Sequence, residues 1–424
     1  MTPSFDGLGF YPADILLPRE GTDLTRWSVV ACDQYTSQPE YWEQVDEFVG
    51  DSPSTLRLIL PESKLHTEHV SEDIKSINQT MDVYQSNGLF QEYPESLIYV
   101  ERKLHNGAVR RGLVGMVDLE EYDYRPGSSS LIRATEGTVL SRIPPRMEVR
   151  KNASLELPHI MLLIDDRRKN VIEPLISEKG SMQYLYDFDL MKESGHLSGW
   201  KLNLSQMNAV ATALRTLVNP EDFEDKYQVS DKAVLLFAVG DGNHSLATAK
   251  STYELLKRQN PQAAKAARYA LVELVNLHDP ALVFEPIHRV LFHVDPEDAV
   301  HSLLSFYPGA YEGEGKGHVL HYIYGTEEGT LTIPFPSSQL SVGTLQSWLD
   351  QYLEGHGGSV DYIHGESVAR DLAKKPDSLA FLLPPMKKEQ LFRTVICDGV
   401  LPRKTFSMGE ACDKRFYMEA RKIR

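Results

Sequence analysis

Cysteine is scarce in this chain. Only Cys32, Cys397 and Cys412 occur among 424 residues, and no two of them form a close CxxC pair. This spacing argues against a disulfide framework and against a zinc site made of cysteines.

Basic charge and long apolar runs are also lacking. Lysine and arginine total 44 against 60 acidic residues, a net charge of -16 with no sustained basic run, so we expect no nucleic-acid partner. The apolar run 233–239 is far too short to cross a bilayer. The N-terminus lacks the charged start and apolar core of a secretory signal. We therefore expect a cytoplasmic protein without a membrane partner; the sequence leaves the oligomeric state open.

The length and composition predict two modules. Hydrophobic residues make up 42% and charged residues 25%, a typical globular mixture. A chain of 424 residues exceeds one ordinary hydrophobic core. We predict a main α/β domain at residues 1–295, which carries the site, and a smaller C-terminal α+β module at 296–424.

The order of strand-like and helix-like segments predicts an α/β to α+β fold, a mixed sheet with flanking helices. Asn106-Gly107 separates two β-rich runs and predicts a hairpin, because both turn residues must tolerate positive φ. Residues 157–166 and 233–239 read as buried strands, and an alanine-rich helix follows the second. His278-Asp279-Pro280 joins two further strands.

The stretch "VGDGNHS" lies between the strand at 233–239 and that helix. Glycines at 240 and 242 allow a sharp turn and a close approach of the backbone to a ligand. The free N–H groups and dipole of the helix start favour an anion there. Asp241 is a candidate metal ligand, and His244 a candidate phosphate donor or proton shuttle. The alternative is a capped turn with a partly buried histidine. Neither GxxxxGK[ST] nor a GxGxxG after a strand occurs in the chain.

An arginine-rich segment supplies candidate phosphate ligands. Guanidinium groups bind phosphate in a bidentate manner, so the four arginines are a candidate phosphate clamp; a solvated face is the alternative. Glu136 in the same segment is a candidate general base, or simply an exposed loop residue. The four arginines lie within eighteen residues: Arg133, Arg142, Arg146 and Arg150.

Two later residues complete the candidates. His288 and Arg289 alternate along a strand, so only one can face a cleft, and we select His288; a hydrogen-bonded core histidine is the alternative. The C-terminal segment 401–421 is expected to dock back on the body, with Lys404 reaching a phosphate.

Four segments together resemble the bacterial domain of unknown function 1015 family. They are "ACDQYTSQPEYWEQV", "IRATEGTVLSRIPPR", "VGDGNHSLATAK" and "FEPIHRVLF". The third resembles the Asp-Gly-His-His-Arg signature of the ParB/sulfiredoxin-like superfamily, which includes nucleotide hydrolases and a free serine kinase. The resemblance implies such a core, a nucleotide, a link to serine biosynthesis, and ligand contacts at Asp33 and Gln34. Asn243 and Ser245 replace the signature's first histidine and its phosphate-holding arginine.

These observations predict a phosphoryl-transfer enzyme, a kinase or a phosphatase, on a small polar metabolite. By resemblance, serine or phosphoserine is the first substrate to test. Mg²⁺ would bridge phosphate oxygens with Asp241 as ligand. The alternatives are a sensor or assembly protein that binds phosphate without turnover, and a metal-dependent hydrolase without nucleotide. The remaining predicted phosphate contacts belong to the turn: Gly240, Gly242, Asn243 and Ser245.

Overall fold

The computed structural model describes residues 4–262 and 264–424. Within them, the chain forms 21 strands and 13 α-helices. The strands are β1 (Phe10–Tyr11), β2 (Ala13–Pro18), β3 (Phe90–Ser96), β4 (Ile98–Lys103), β5 (Val109–Asp118), β6 (Tyr122–Asp123), β7 (Ile132–Ala134), β8 (Leu155–Glu156), β9 (Met161–Ile164), β10 (Gln183–Asp189), β11 (His196–Lys201), β12 (Phe237–Asp241), β13 (Tyr269–Asn276), β14 (Phe284–Phe292), β15 (Tyr311–Glu312), β16 (His318–Tyr324), β17 (Glu327–Ile333), β18 (Ser359–His364), β19 (Ser378–Leu382), β20 (Phe406–Met408) and β21 (Arg421–Lys422).

The helices are α1 (Leu24–Trp27), α2 (Pro39–Val49), α3 (Val70–Ser86), α4 (Ile143–Arg150), α5 (Leu175–Glu178), α6 (Leu204–Thr216), α7 (Pro220–Tyr227), α8 (Asn243–Gln259), α9 (Ala264–Ala267), α10 (Pro296–Phe306), α11 (Ser341–His356), α12 (Glu366–Ala373) and α13 (Lys388–Asp398). Within the described residues, no helix is both long enough and apolar enough to span a bilayer.

The chain divides into two compact units. The first comprises Met1–Leu282 with Glu410–Arg424, and the second Val283–Gly409. The boundary differs from the predicted one at 295 because β14 belongs to the sheet of the second unit. The loop at His278-Asp279-Pro280 joins two strands as predicted, and these strands, β13 and β14, belong to different sheets.

The first unit is built on a mixed ten-stranded sheet with the order β10-β11-β4-β5-β13-β9-β12-β7-β6, and β1 pairs with β5. The hairpin at Asn106-Gly107 is confirmed: β4 and β5 are antiparallel, and Gly107 has a φ of 85°. Apolar side chains of β12 and β13, such as Phe237 and Leu274, are fully buried in its core. The mixed α/β architecture with flanking helices agrees with the prediction.

The strand predicted at 233–239 is displaced. It covers Phe237–Asp241, because the carbonyls of Ala233 and Val234 accept hydrogen bonds from the Arg133 guanidinium instead of from a neighbouring strand. The helix expected after it is confirmed as α8.

The C-terminal residues from Glu410 onward complete the first unit. The predicted docking of segment 401–421 therefore holds for residues 410–421, whereas 401–409 belong to the second unit. β21 pairs with β8, and the Tyr417 N–H donates to the Val29 carbonyl at 2.8 Å. Arg415 is buried between the carboxylates of Glu273 and Glu419. This segment delivers two polar side chains, Lys414 and Tyr417, to the site described below.

The second unit has its own sheet, in the order β15-β17-β16-β19-β14-β18, with β20 against β14. His288 and Lys404 both belong to this unit. His288 is 3% exposed, and its Nδ1 accepts the Leu383 N–H at 3.1 Å, so it is a hydrogen-bonded core histidine rather than the predicted ligand contact. Lys404 is exposed, with a φ of 53°.

Candidate functional site at the start of helix α8

The turn from β12 into α8 is formed as the glycine pattern predicts. Gly242 has a φ of 77°, which a residue with a side chain rarely adopts, and it caps α8 without a side-chain hydrogen bond. No acidic residue lies in the first helical turn. Among the described hydrogen bonds, the backbone N–H groups of Asn243, His244 and Ser245 have no protein acceptor. This helix start therefore retains the donors that an anion would need.

The glycines have packing roles as well. A Cβ on Gly240 would lie 2.7 Å from Leu163 Cγ, and one on Gly242 would lie 3.1 Å from Ile160 Cα. β9 thus packs directly against the turn. This close packing is a second reason for glycine at position 240, and the phosphate contact of Gly240 stays a prediction.

Asn243 is a structural residue. It is 7% exposed, its Oδ1 accepts the Thr135 N–H at 3.1 Å, and its Nδ2 donates to the Val239 carbonyl at 3.4 Å. The carboxyl ends of the parallel strands β7 and β12 are joined in this way. These bonds occupy the side chain, which is therefore unavailable as a phosphate ligand; only the backbone N–H of Asn243 remains as a donor.

The loop that carries Glu136 lies against the helix start. Thr135 bonds to Asn243, and the Val139 N–H donates to His244 Nε2 at 3.4 Å. Two segments that are distant in sequence therefore meet at one edge of the sheet. Glu136 lies between these two contacts, partly buried.

His244 is neutral at physiological pH. Burial, together with the positive charges of Arg142 and Arg146, lowers its pKa to about 4, and the Asp33 carboxylate opposes this only partly. Because Nε2 accepts a hydrogen bond, the ring proton resides on Nδ1. His244 can donate that proton to a phosphate oxygen, but it is a poor proton shuttle near pH 7.

The four predicted arginines do not form one clamp. Arg133 is 5% exposed and donates to the carbonyls of Ser130, Ala233 and Val234, so its role is structural. Arg146 pairs with Glu62, and Arg150 with Glu156. Arg142 is exposed, and the described residues provide no carboxylate partner for it. Of the four predicted guanidinium groups, only that of Arg142 is available near His244 to bind a phosphate.

A polar chain that the sequence did not reveal completes the site. Ser245 Oγ lies 3.1 Å from His159 Nε2, and His159 Nδ1 lies 2.8 Å from the Tyr417 hydroxyl. His159 lies within the strand predicted at 157–166, two residues before the observed strand β9. The only signal available was a histidine at the start of a buried strand, whose antiparallel pairing with β12 places it beside the turn.

Asp33 and Gln34 belong to the same group of side chains. Asp33 Oδ2 lies 3.8 Å from His159 Nε2, and Gln34 Nε2 donates to Asp33 Oδ1 at 2.9 Å. The neighbouring Cys32 thiol is not reactive, since burial and the adjacent Asp33 carboxylate raise its pKa to about 12.

Asp241 is paired with a lysine rather than poised for a metal. Its Oδ2 lies 3.2 Å from Lys414 Nζ, and its Oδ1 accepts the Gly242 N–H at 3.0 Å. Burial alone would raise the pKa of Asp241, but Lys414 and His159 bring it below the ordinary value. The lysine ammonium occupies the place where a cation would bind, and the metal-ligand group found in the described residues does not include Asp241. The donor set does not fit Mg²⁺ here, which corrects that prediction.

A cavity of about 160 Å³ opens beside Ser245 and His159. Its polar edge also holds the Arg146–Glu62 pair, and its walls are mainly apolar. The apolar lining includes Leu58, Leu65, Met81, Val149 and Leu157.

A family model, "Protein of unknown function (DUF1015)", matches residues 16–350. The chain belongs to this family. The match includes the site residues between Asp33 and Ser245, and it leaves out Lys414 and Tyr417. No curated protein matches the chain.

Three solved structures show a distant likeness. A free serine kinase in complex with AMP is 12% identical, with 73% of this chain and 91% of that chain covered and a TM-score of 0.38. SbnI with a C-terminal truncation, from Staphylococcus aureus, is 10% identical, with 70% of this chain and 83% of that chain covered and a TM-score of 0.34. A conserved hypothetical protein from Pyrococcus furiosus is 11% identical, with 73% of this chain and 94% of that chain covered and a TM-score of 0.36. Likeness at this level assigns no function to the chain.

Proposed function

We propose that the first turn of α8 binds the phosphate of a small metabolite and that the protein is a phosphoryl-transfer enzyme. The observation that carries this proposal is His244. It stands in an uncapped helix start, it is kept neutral by burial and two arginines, and its Nδ1–H is left to donate. Neutral donors, backbone N–H groups and one unpaired guanidinium are the groups that hold a phosphate.

Four side chains make up the proposed phosphate contacts. Arg142 supplies charge, His244 and Ser245 supply donors from the first turn, and Lys414 has two further ammonium protons beyond the one directed at Asp241. These groups lie on three separate segments of the first unit, so a bound phosphate would tie the segments together.

The acceptor hydroxyl needs a base, and Glu136 is the residue we assign to it. Its loop contacts both Asn243 and His244, next to the proposed phosphate. His244 is unsuited to this task because its accepting nitrogen is engaged and its pKa is about 4. As the bond between the terminal phosphorus of a nucleotide and the acceptor oxygen forms, the bond from that phosphorus to the bridging oxygen of the nucleotide would break. The shortened nucleotide would leave with the electrons of the broken bond, and the hydroxyl proton would pass to the Glu136 carboxylate. Asp33 would hold the ammonium group of an amino acid such as serine.

We assign the base of a nucleotide to the cavity beside Ser245. Apolar side chains such as Leu58, Met81 and Val149 would pack against the base, and Ser245 connects the cavity to the helix start. A bound nucleotide would supply the phosphoryl group. The ParB/sulfiredoxin-like core that the motif implies stays a prediction.

A second candidate is a sensor that binds a phosphate ligand without turnover. The Asp241–Lys414 pair favours it, because a lysine stands where a phosphotransferase would place its metal. The donor set at Asp241 does not fit a metal, which argues against the metal-dependent hydrolase.

Calorimetric titration and ³¹P NMR test both candidates on the full chain with ATP, ADP, serine and phosphoserine. The enzyme predicts nucleotide-dependent conversion that Glu136→Gln abolishes while binding persists. The sensor predicts saturable binding that Arg142→Gln weakens at least tenfold, without conversion. Lys151→Gln is the matched control, because its pair with Glu148 is exposed. Absence of both binding and conversion contradicts the proposal.

A further inference from the structure

Three metal-ligand side chains meet at a different place in the first unit. His105, Glu410 and Cys412 each offer one ligand atom, and the three atoms lie within 4.8 Å of one another. His105 belongs to the turn between β4 and β5, whereas the other two begin the C-terminal segment. We propose that these three residues bind a divalent transition-metal ion of the zinc class. This proposal does not depend on the phosphate site.

The separations are close to those of a tetrahedral site. Cys412 Sγ lies 3.7 Å from His105 Nδ1 and 3.9 Å from Glu410 Oε2. With zinc bonds of about 2.3 Å to sulfur and about 2.1 Å to nitrogen or oxygen, tetrahedral ligand atoms lie roughly 3.5 Å apart. His105 and Glu410 are exposed, so small side-chain rotations would close the difference.

Asp413 positions His105 beside the other two ligands. Its Oδ1 accepts the backbone N–H of His105 at 3.0 Å, and its Oδ2 lies 2.7 Å from His105 Nδ1. The Asp413 side chain is 6% exposed and therefore fixed by its surroundings. Metal binding at Nδ1 would break the hydrogen bond to Oδ2, whereas the bond from the His105 backbone N–H to Oδ1 would still position the residue.

The donor types select the metal. A thiolate and an imidazole are preferred ligands of zinc and related divalent transition metals, whereas Mg²⁺ and Ca²⁺ prefer oxygen ligands alone. The Glu410 carboxylate and the Cys412 thiolate would together carry two negative charges, which balance the charge of a dication. Binding would release the thiol proton of Cys412 to solvent.

The consequence is a clamp on the C-terminal segment. The metal would join the β4–β5 turn to the residues directly before Lys414 and Tyr417, which the structure places beside Asp241 and His159. Metal binding should therefore stabilise the segment that completes the phosphate site.

Titration of the reduced full chain with Co²⁺ tests the proposal. We expect one Co²⁺ per chain, a near-ultraviolet thiolate charge-transfer band, and displacement of the band by Zn²⁺ but not by Mg²⁺. Cys412→Ser should remove the band and Cys397→Ser should retain it, with folding of both checked by circular dichroism. His105→Asn should weaken Co²⁺ binding at least tenfold. Absence of a thiolate band in the wild type, or a band that persists in Cys412→Ser, overturns the proposal.

Discussion

The Lys414 ammonium lies 3.2 Å from the Asp241 carboxylate, and the two side chains are only 17% and 24% exposed. Residue 241 ends the central strand β12, and residue 414 comes from the C-terminal segment, 173 positions away. The pair therefore fixes the C-terminal segment at the edge of the sheet where the candidate site lies.

Replacing the lysine should destabilise the protein in a pH-dependent manner. Lys414→Met leaves a largely buried carboxylate without its partner, which costs about 1–3 kcal/mol of unfolding free energy at pH 7. The pKa of Asp241 is lowered in the folded state, so the contribution of the pair is present above the ordinary value of 3.8 and is lost as pH falls through the lower folded pKa. Urea unfolding of wild type and variant should converge in acid.

The exposed pair of Lys151 and Glu148 provides the control for this prediction. Lys151→Met should change the unfolding free energy by less than about 0.5 kcal/mol. An equal effect of the two variants would show that the Asp241–Lys414 pair is of no special importance.

The histidine at the helix start predicts a second pH effect. The pKa of His244 falls from 6.5 to about 4 on folding, so the unfolded chain binds a proton more readily between these values. Lowering the pH from 7 to 5 therefore reduces the contribution of His244 to the unfolding free energy. The unfolding free energy should therefore decrease less between pH 7 and pH 5 in His244→Gln than in the wild type. Substitution of the exposed His69 should leave this decrease unchanged. A His244 midpoint near 6.5 in an NMR titration would contradict this account.

Two arginines of one segment should behave in opposite ways. Arg133→Lys should lower the thermal midpoint, because one ammonium cannot replace the guanidinium that bonds three carbonyls, while phosphate affinity stays the same. Arg142→Gln should leave the midpoint within about 1 °C and weaken phosphate binding. Thermal unfolding and calorimetry on both variants decide the matter; a reversed pattern would refute the assignment.

Substitution of Gly240 tests whether close packing or ligand binding requires a glycine at this position. Gly240→Ala should cost about 1–3 kcal/mol, because its Cβ would meet Leu163 at 2.7 Å. Adding Leu163→Ala should recover part of the loss if packing is the cause. If the double variant is merely additive in urea unfolding, the packing explanation fails.

The sequence predicted local structure well and side-chain partners poorly. The hairpin at Asn106-Gly107 and the turn at Gly242 followed from local rules, since both depend on backbone conformation alone. The roles of Arg133 and Asn243 did not, because each is set by carbonyls or amides from strands distant in sequence.

The same reason explains the residues that sequence reasoning missed. His159 and Lys414 reach the site through an antiparallel pairing and through docking of the C-terminal segment. Neither has a spacing relative to Asp241 that a sequence pattern could reveal. The sequence located the turn correctly but assigned it a magnesium ligand that the lysine replaces.

The most direct test is a crystal structure of the full chain grown with phosphate or phosphoserine. The account predicts an anion within hydrogen-bond distance of the backbone N–H groups of His244 and Ser245, with Arg142 turned toward it. An unoccupied helix start in crystals where the anion binds elsewhere would contradict the account.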